Sequence, residues 1–561
     1  MMREDRSLEG PDLYQSAKEV LQLIRRRLDG AIVAAAKRSM VGGELSDEIL
    51  DENQLVSYEL ALASAEVLAA EVAYSRVLRA SALDQGITHV FIADSVVSAL
   101  TRLDTVDVEL GIDNSSNVSL TADLSRYRKL SSNGELLSKL GAAIAECGFC
   151  FGEVEQSESV AIAQTAFRRF AQNVIAPLAE EIHRKDLTVP RRIVDAMCEM
   201  GAFGLCIPEE YGGNAGDSCT DAPLMIAVTE ALSEASLAAG GSLITRPEIL
   251  SRALLVGGTE EQKHTWLPRI ASGEKLCAIA ITEPDFGSDV ARLSLKGART
   301  EKGWLLDGAK AWCTFAGMAN LLMVVVRTNP DMSAGHRGLS IMLAEKPSYD
   351  GHEFRYVQEG GGVLSGRAVP TIGYRGMHSF DLHFENFLVP HEHVVGGEGG
   401  LGRGFYFTMA GMTGGRMQTA GRASGVMRAA LSAAIRYARD RKVFGTSLMD
   451  FSLTRARIAR MASRYLGCRQ LTYAVAERVG NGDADMEASL AKLLACRSAE
   501  LVTRDALQIH GGMGYAEESP VSRYFLDARV LSIFEGAEET LALKVIARSL
   551  LERAARVASG A

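Results

Sequence analysis

The sequence predicts a mainly α-helical protein with a central β domain and an extra helical module at its N-terminus. Two observations carry this reading. Eleven of the thirteen prolines lie from Pro177 to Pro390, with none between Pro11 and Pro177 or between Pro390 and Pro520. Proline breaks helix interiors, so long helices fit the two flanking blocks and turns fit the middle. The hydrophobic period also changes, from helical to strand-like near residue 275 and back to helical after Gly404. Strands do not alternate with helices, which argues against a doubly wound parallel sheet.

In the first block, Leu55, Tyr58, Leu62, Ala65, Ala69 and Val72 recur at spacings of three and four, one apolar stripe of a helix. Polar stretches at 113–119 and 131–134 punctuate the block, and 153–159 links it to the second helical domain. Residues 1–155 thus read as an independent helical unit of domain size. Residues 156–275 read as a second helical domain that includes the turn-rich PEEYGGNAGD at 208–217. Short segments at 276–281, 321–327, 339–343 and 380–384, rich in β-branched or large apolar residues, predict strands of a β domain over 276–400. Helices at 416–441, 453–479, 487–509 and 538–557 predict a C-terminal bundle over 401–561.

The composition bounds the function. A chain of 561 residues with 47% hydrophobic and 23% charged residues is globular, neither fibrous nor disordered. Its net charge of −10 gives no overall positive field for nucleic acid. No apolar run is long enough for a membrane span, and MMREDRSLEGPD lacks the apolar core of a signal peptide. Nine scattered cysteines are not a disulfide framework, so the expectation is a reduced, cytoplasmic protein. Cys147 and Cys150 form a lone CxxC with no second pair, and read as two ordinary helical cysteines rather than metal ligands. Gly397, Gly399 and Gly402 match GxGxxG, but without a βαβ unit they read as a loop joining two domains.

Four segments carry chemistry. ITEPDFGSD (281–289) ends a strand in a Gly/Ser turn whose N–H groups suit anionic or carbonyl oxygens, with hydroxyls at Thr282 and Ser288. KAWCT (310–314) places Trp312 and Thr314 on one strand face by alternation, an indole beside a hydroxyl that suits a planar heteroaromatic ligand. RDRKVFG (439–445) is a cationic helix end closed by glycine. QIHGGMGY (508–515) precedes IFEG (533–536), where Glu535 lies in an apolar context that raises a carboxylate's basicity.

In this order and spacing, from about Ala161 to the C-terminus, the four segments resemble the acyl-CoA dehydrogenase family. The resemblance implies a helical domain, a β-barrel-like domain and a four-helix bundle, with FAD between the β domain and the bundle and partly covered by a second subunit. By position, Thr282 and Ser288 contact the flavin and its phosphates. Trp312 packs on the isoalloxazine, and Thr314 hydrogen-bonds near N5. Arg441, Phe444, Gln508 and Gly512 match residues that reach FAD across a dimer interface. Arg416, in GGRMQTAG, matches an arginine near the substrate thioester. Glu535 aligns with the usual catalytic base; the alternative family position, just before that arginine, is Gly415 here. The implied reaction is α-proton removal by Glu535 with β-hydride transfer to the flavin. Where the family often has Thr and Gln or Glu after the catalytic EG, this chain has Ala537 and Glu539, so one contact to an FAD hydroxyl is expected to be missing.

Residues 1–155 have no counterpart in ordinary members. Their segment 54–74 looks like a helix of the family's own bundle, and the extension is expected to pack where a second dimer sits in tetrameric members, leaving a homodimer. Such an extended member resembles those acting on a short branched dicarboxylic acyl-CoA. A buried free carboxylate needs a cation, and Arg246, in GSLITRP near the acyl pocket, is the candidate. The expected electron acceptor is electron-transferring flavoprotein. The competing readings are a dehydrogenase of another short or branched acyl-CoA, and a flavin-containing, nucleic-acid-binding relative without dehydrogenase activity.

Overall fold

The computed structural model describes residues 11–113, 118–215, 222–479 and 484–559. Parts of the 113–119 stretch and of the 208–217 turn, and the first ten residues, lie outside these. The chain forms two compact units, Met1–Gln156 with Val426–Ala561, and Ser157–Gly425. Among the described residues, no helix is long and apolar enough to cross a membrane.

The second unit begins with helices Glu158–Phe170, Ala176–Arg184, Arg191–Glu199, Ala222–Ala235, Thr245–Gly257 and Glu260–Ala271. Ser157 caps the first through the Val160 N–H. Thr259 and Gln262 form a reciprocal capping box at the start of the last. Eight strands follow as one curled sheet. They are β1 (Cys277–Ala280), β2 (Lys296–Thr300), β3 (Gly303–Thr314), β4 (Leu321–Arg327), β5 (Leu339–Glu345), β6 (Glu353–Val357), β7 (Val363–Ala368) and β8 (Ser379–Val389). The order is β1-β4-β2-β3-β8-β7-β6, with β5 antiparallel to β4. Every residue of β4 is buried, so it reads as a continuous apolar run rather than an alternation. Strands β2, β6 and β7 are missing from the sequence reading because KGART, EFRYV and VLSGRA mix polar residues and glycine on a half-solvated sheet.

The glycines of the GxGxxG match lie in and after a short 3-10 turn, Gly397–Gly400. The preceding strand β8 is antiparallel to both its neighbours, so no βαβ unit surrounds them. Helix Gly404–Asp440 follows, starting twelve residues before the expected 416 because Gly411, Gly414 and Gly415 are tolerated within it. Backbone of Ile249 and the Glu248 side chain sit where Cβ atoms at Gly411 and Gly414 would go. The glycines are packing choices that hid the helix.

In the first unit, helices Pro11–Arg38, Gln54–Arg76, Ala82–Leu110, Val118–Ser131 and Gly134–Glu146 join the C-terminal helices Ser452–Val479, Asp485–His510, Pro520–Leu531 and Glu538–Ser559, the last running through a π segment at Leu541–Ala547. The sequence reading makes residues 1–155 self-contained. In the structure Gln54–Arg76 packs on Asp485–His510, on Ser452–Val479 and on the π segment, and Leu551 enters the core of the leading helices. The expected single stripe on Gln54–Arg76 is also wrong in detail: Leu55 is 50% exposed, while Val56, Leu60, Ala61 and Ala63 are buried. A helix with neighbours on several sides has no single apolar face. Cys147 and Cys150 are not helical; both are free thiols in the turn after Gly134–Glu146, where Gly148 takes φ +63° and ends the helix.

Candidate functional site

The expected site residues divide between the two units. In the second unit, the ITEPDFGSD loop leaves β1 through a tight turn in which Glu283 and Phe286 exchange backbone hydrogen bonds at 2.9 and 3.2 Å. The Glu283 carboxylate faces inward and accepts from the Ser294 N–H, the Ser294 hydroxyl and the Leu295 N–H at 2.7, 2.8 and 2.8 Å. It also accepts from Lys310 Nζ at 2.8 Å, and Lys310 donates to the Ile281 carbonyl. Burial opposes the Glu283 charge, but Lys310 and the backbone N–H groups outweigh it and hold the carboxyl below the usual range. The Ala311 N–H donates to the Thr282 carbonyl at 2.8 Å, so Thr282 is held against the strand that carries Trp312.

Simple alternation does not govern that strand. Two residues, Ala311 and Trp312, stand opposite Asp381 alone, a β-bulge between the pairs Lys310–Leu382 and Cys313–Phe380. Trp312 takes φ +57° and Phe315 φ +69°, a region costly for residues other than glycine. The indole is 56% exposed while Thr314 is buried, its hydroxyl 3.0 Å from that of Ser379. A strained backbone that holds a large indole open to solvent next to hydroxyl residues fits a planar heteroaromatic cofactor. Ser288 lies exposed on the loop and Thr282 is half-buried.

Arg246 is buried, 6% exposed, on the first turn of Thr245–Gly257. It donates to the Ser242 carbonyl and the Tyr374 hydroxyl, both at 3.2 Å. Arg422, fully buried, donates to the Ser242 hydroxyl at 3.3 Å and the Thr419 hydroxyl at 2.6 Å. Two buried guanidinium groups therefore share Ser242. Arg416 is half-buried on helix Gly404–Asp440, six residues before Arg422.

In the first unit, Glu535 is half-buried in the turn between Pro520–Leu531 and Glu538–Thr540, at φ +54°. Lys492, 1% exposed, donates from Nζ to the Phe534 carbonyl at 2.6 Å and to the Gly536 carbonyl, one on each side of Glu535. Gly536, at φ +96°, lies against the Leu541 side chain. Gln508 and Gly512 lie exposed at the end of Asp485–His510 and just after it. Phe444 is 98% exposed at the tip of a two-residue hairpin, at φ +51°, and Arg441 beside it is exposed. All four residues expected to reach FAD across a dimer are thus open on the single chain.

Sequence reasoning passed over Lys310, Glu283, Lys492, Tyr374 and Arg422. The signal for Lys492 was a lone lysine within SLAKLLAC, because a lysine is fully buried only when its charge is satisfied. It also passed over a cluster in which Asp186, His352 and His378 bring one ligand atom each within 4.8 Å of one another. Asp186 there accepts from His378 at 3.0 Å and pairs with Arg375 at 3.5 Å, which accounts for the arrangement.

The fold matches butyryl-CoA dehydrogenase from Megasphaera elsdenii with a TM-score of 0.65 and 27% identity, covering 71% of this chain and 100% of that one. It matches glutaryl-coenzyme A dehydrogenase in its glutaryl-CoA complex with a TM-score of 0.64 and 28% identity, over 71% and 97% of the two chains. The sequence matches the family models for the acyl-CoA dehydrogenase N-terminal domain at residues 157–274, middle domain at 278–387 and C-terminal domain at 402–551. A (2S)-methylsuccinyl-CoA dehydrogenase from Cereibacter sphaeroides is 40% identical over 404 residues, 72% of this chain and 71% of that protein. The chain belongs to the acyl-CoA dehydrogenase family, carrying an N-terminal helical extension. It is an FAD-dependent oxidoreductase acting on the CH–CH bond of an acyl-CoA.

Proposed function

We propose that this enzyme oxidises a short branched dicarboxylic acyl-CoA, (2S)-methylsuccinyl-CoA to mesaconyl-CoA, as a step of the ethylmalonyl-CoA pathway. The observation that carries the substrate class is the burial of Arg246 beside Arg422. Two guanidinium groups that meet at Ser242, one of them at 6% exposure, supply the positive charge that a distal carboxylate requires. The 40% identity to a relative of that activity supports the same reading.

Glu535 is the base. It removes the substrate α-proton, and its strained turn sets the direction in which the side chain leaves the backbone. Bound FAD supplies the acceptor for the β-hydride. Thr282, Ser288, Trp312 and Thr314 would hold the flavin from one unit, and Arg441, Phe444, Gln508 and Gly512 would reach it in a homodimer. Arg416 binds near the thioester, and Arg246 receives the distal carboxylate. The product is the α,β-unsaturated thioester, and the electrons pass to electron-transferring flavoprotein.

The test is anaerobic mixing of the flavin-loaded enzyme with methylsuccinyl-CoA, butyryl-CoA and isobutyryl-CoA, following loss of flavin absorbance. Bleaching by methylsuccinyl-CoA alone is expected. Bleaching by the other two only would replace the substrate. No bleaching, with salt-dependent DNA binding, would replace the activity with a nucleic-acid-binding role. Glu535→Gln is expected to keep FAD and lose bleaching.

A further inference from the structure

The match to the family begins at residue 157, yet one helix of the extension, Gln54–Arg76, reaches the turn that carries Glu535. The Tyr58 hydroxyl donates to the carboxylate of Glu538, three residues past Glu535. Arg497, on Asp485–His510, pairs with the same carboxylate oxygen and lies 3.2 Å from the Tyr58 hydroxyl. The Glu538 side chain is only 13% exposed. Its N–H closes the turn on the Ser532 carbonyl at 3.0 Å, and the Ser532 hydroxyl donates to Glu500 at 2.6 Å. Farther along the same helix, Lys544 pairs with Asp51 and Arg548 with Asp47, at 2.6 and 2.7 Å.

Glu535 has φ +54°, which persists in a non-glycine residue only when the surroundings over-determine it. Lys492 holds the turn by the carbonyls flanking Glu535. The Tyr58–Glu538–Arg497 group holds its C-terminal end.

We propose that Tyr58 is a positioning residue for the catalytic base, so that the N-terminal extension is a working part of the active site and not only a packing module. The inference rests on Glu535 being that base. Burial and the Glu538 hydrogen bond push the Tyr58 phenol up to about 12, so it remains a donor throughout the working pH range.

The experiment is single-turnover flavin reduction by methylsuccinyl-CoA across pH, on full-length, FAD-loaded enzyme, for Tyr58→Phe, Arg497→Gln, Arg497→Lys, Asp51→Asn and Glu535→Gln. Tyr58→Phe keeps the ring and loses the donor. It is expected to slow reduction on the order of ten- to a hundredfold, the scale of a misplaced catalytic group, at unchanged FAD content and KM. Arg497→Gln releases the C-terminal end of the turn from Asp485–His510 and is expected to slow reduction as Tyr58→Phe does, with Arg497→Lys restoring much of the rate. Asp51→Asn breaks an exposed pair of the extension away from Glu538 and is expected to leave the rate alone. A Tyr58→Phe enzyme with wild-type rate and pH profile overturns the proposal even if its thermal midpoint falls. Should Tyr58→Phe lose flavin, Arg497→Lys and Arg497→Gln are read in its place, and wild-type profiles for both overturn it. An inactive Glu535→Gln beside an unaffected Tyr58→Phe rejects the positioning role and keeps the base. An active Glu535→Gln rejects both.

Discussion

Glu283 and Lys310 meet at 2.8 Å with side-chain exposures of 4% and 0%, a buried ion pair that ties the ITEPDFGSD loop to the strand of Trp312. The two residues belong to two separate sequence motifs, and the pair is the charged bond between them, beside the hydrogen bonds to the Ile281 and Thr282 carbonyls. Removing one partner leaves an unpaired buried charge, which costs about 3–5 kcal/mol. Glu283→Gln and Lys310→Met are therefore each expected to lower the thermal midpoint and to release FAD. The double variant Glu283→Leu with Lys310→Met is expected to recover much of the stability, because replacing both charges is often near neutral. Differential scanning calorimetry with flavin absorbance reads both effects, and additive single losses would reject the coupling.

Lys492 is the corresponding brace in the other unit. Lys492→Met keeps most of the volume and removes the donor to the Phe534 and Gly536 carbonyls. The two carbonyls are only partly buried, so the loss of this donor is expected to cost less than the about 1–3 kcal/mol of a fully buried unsatisfied group. The expected outcome is slower flavin reduction with KM little changed, together with a lower thermal midpoint. Wild-type reduction kinetics would show that the turn holds Glu535 without it.

Arg246 sets the substrate class in the proposed reading. Arg246→Ala is expected to raise KM for methylsuccinyl-CoA and narrow its advantage over butyryl-CoA by about tenfold or more, the scale of one charge-assisted hydrogen-bonded contact. Arg422→Met tests whether the second buried guanidinium shares the role. Unchanged discrimination in both variants would move the carboxylate site elsewhere.

His89 gives the extension a pH dependence. Its imidazole is 5% exposed, with Nδ1 2.8 Å from the Tyr127 hydroxyl. Burial pushes its pKa down from 6.5 to about 4. The folded state therefore takes its proton later than the unfolded chain does. Stability from this group is complete above pH 6.5 and is lost as pH falls toward 4, by at most roughly 3 kcal/mol. Thermal midpoints from pH 8 to pH 4.5 should fall less steeply for His89→Gln than for the wild type. Parallel curves would exclude His89 as the cause.

Much of this protein is legible without coordinates. The proline-poor ends and the change of period locate the helical blocks and the sheet, because both follow from local rules of backbone and side-chain geometry. The ordered motifs point to the family, to FAD and to Glu535, since a motif keeps side chains whose chemistry cannot be exchanged. Strands β2, β6 and β7 stayed hidden because half-exposed strands carry little apolar signal.

What only the tertiary structure decided are the links between segments far apart in sequence. The bulge at Ala311–Trp312 depends on register with β8. The Lys492 brace needs two helices to pack, and the contact of Tyr58 with Glu538 joins residues 480 positions apart. Local sequence sets which residues are available. Burial, which strips water from a charge and forces it to find a protein partner, sets which of them meet.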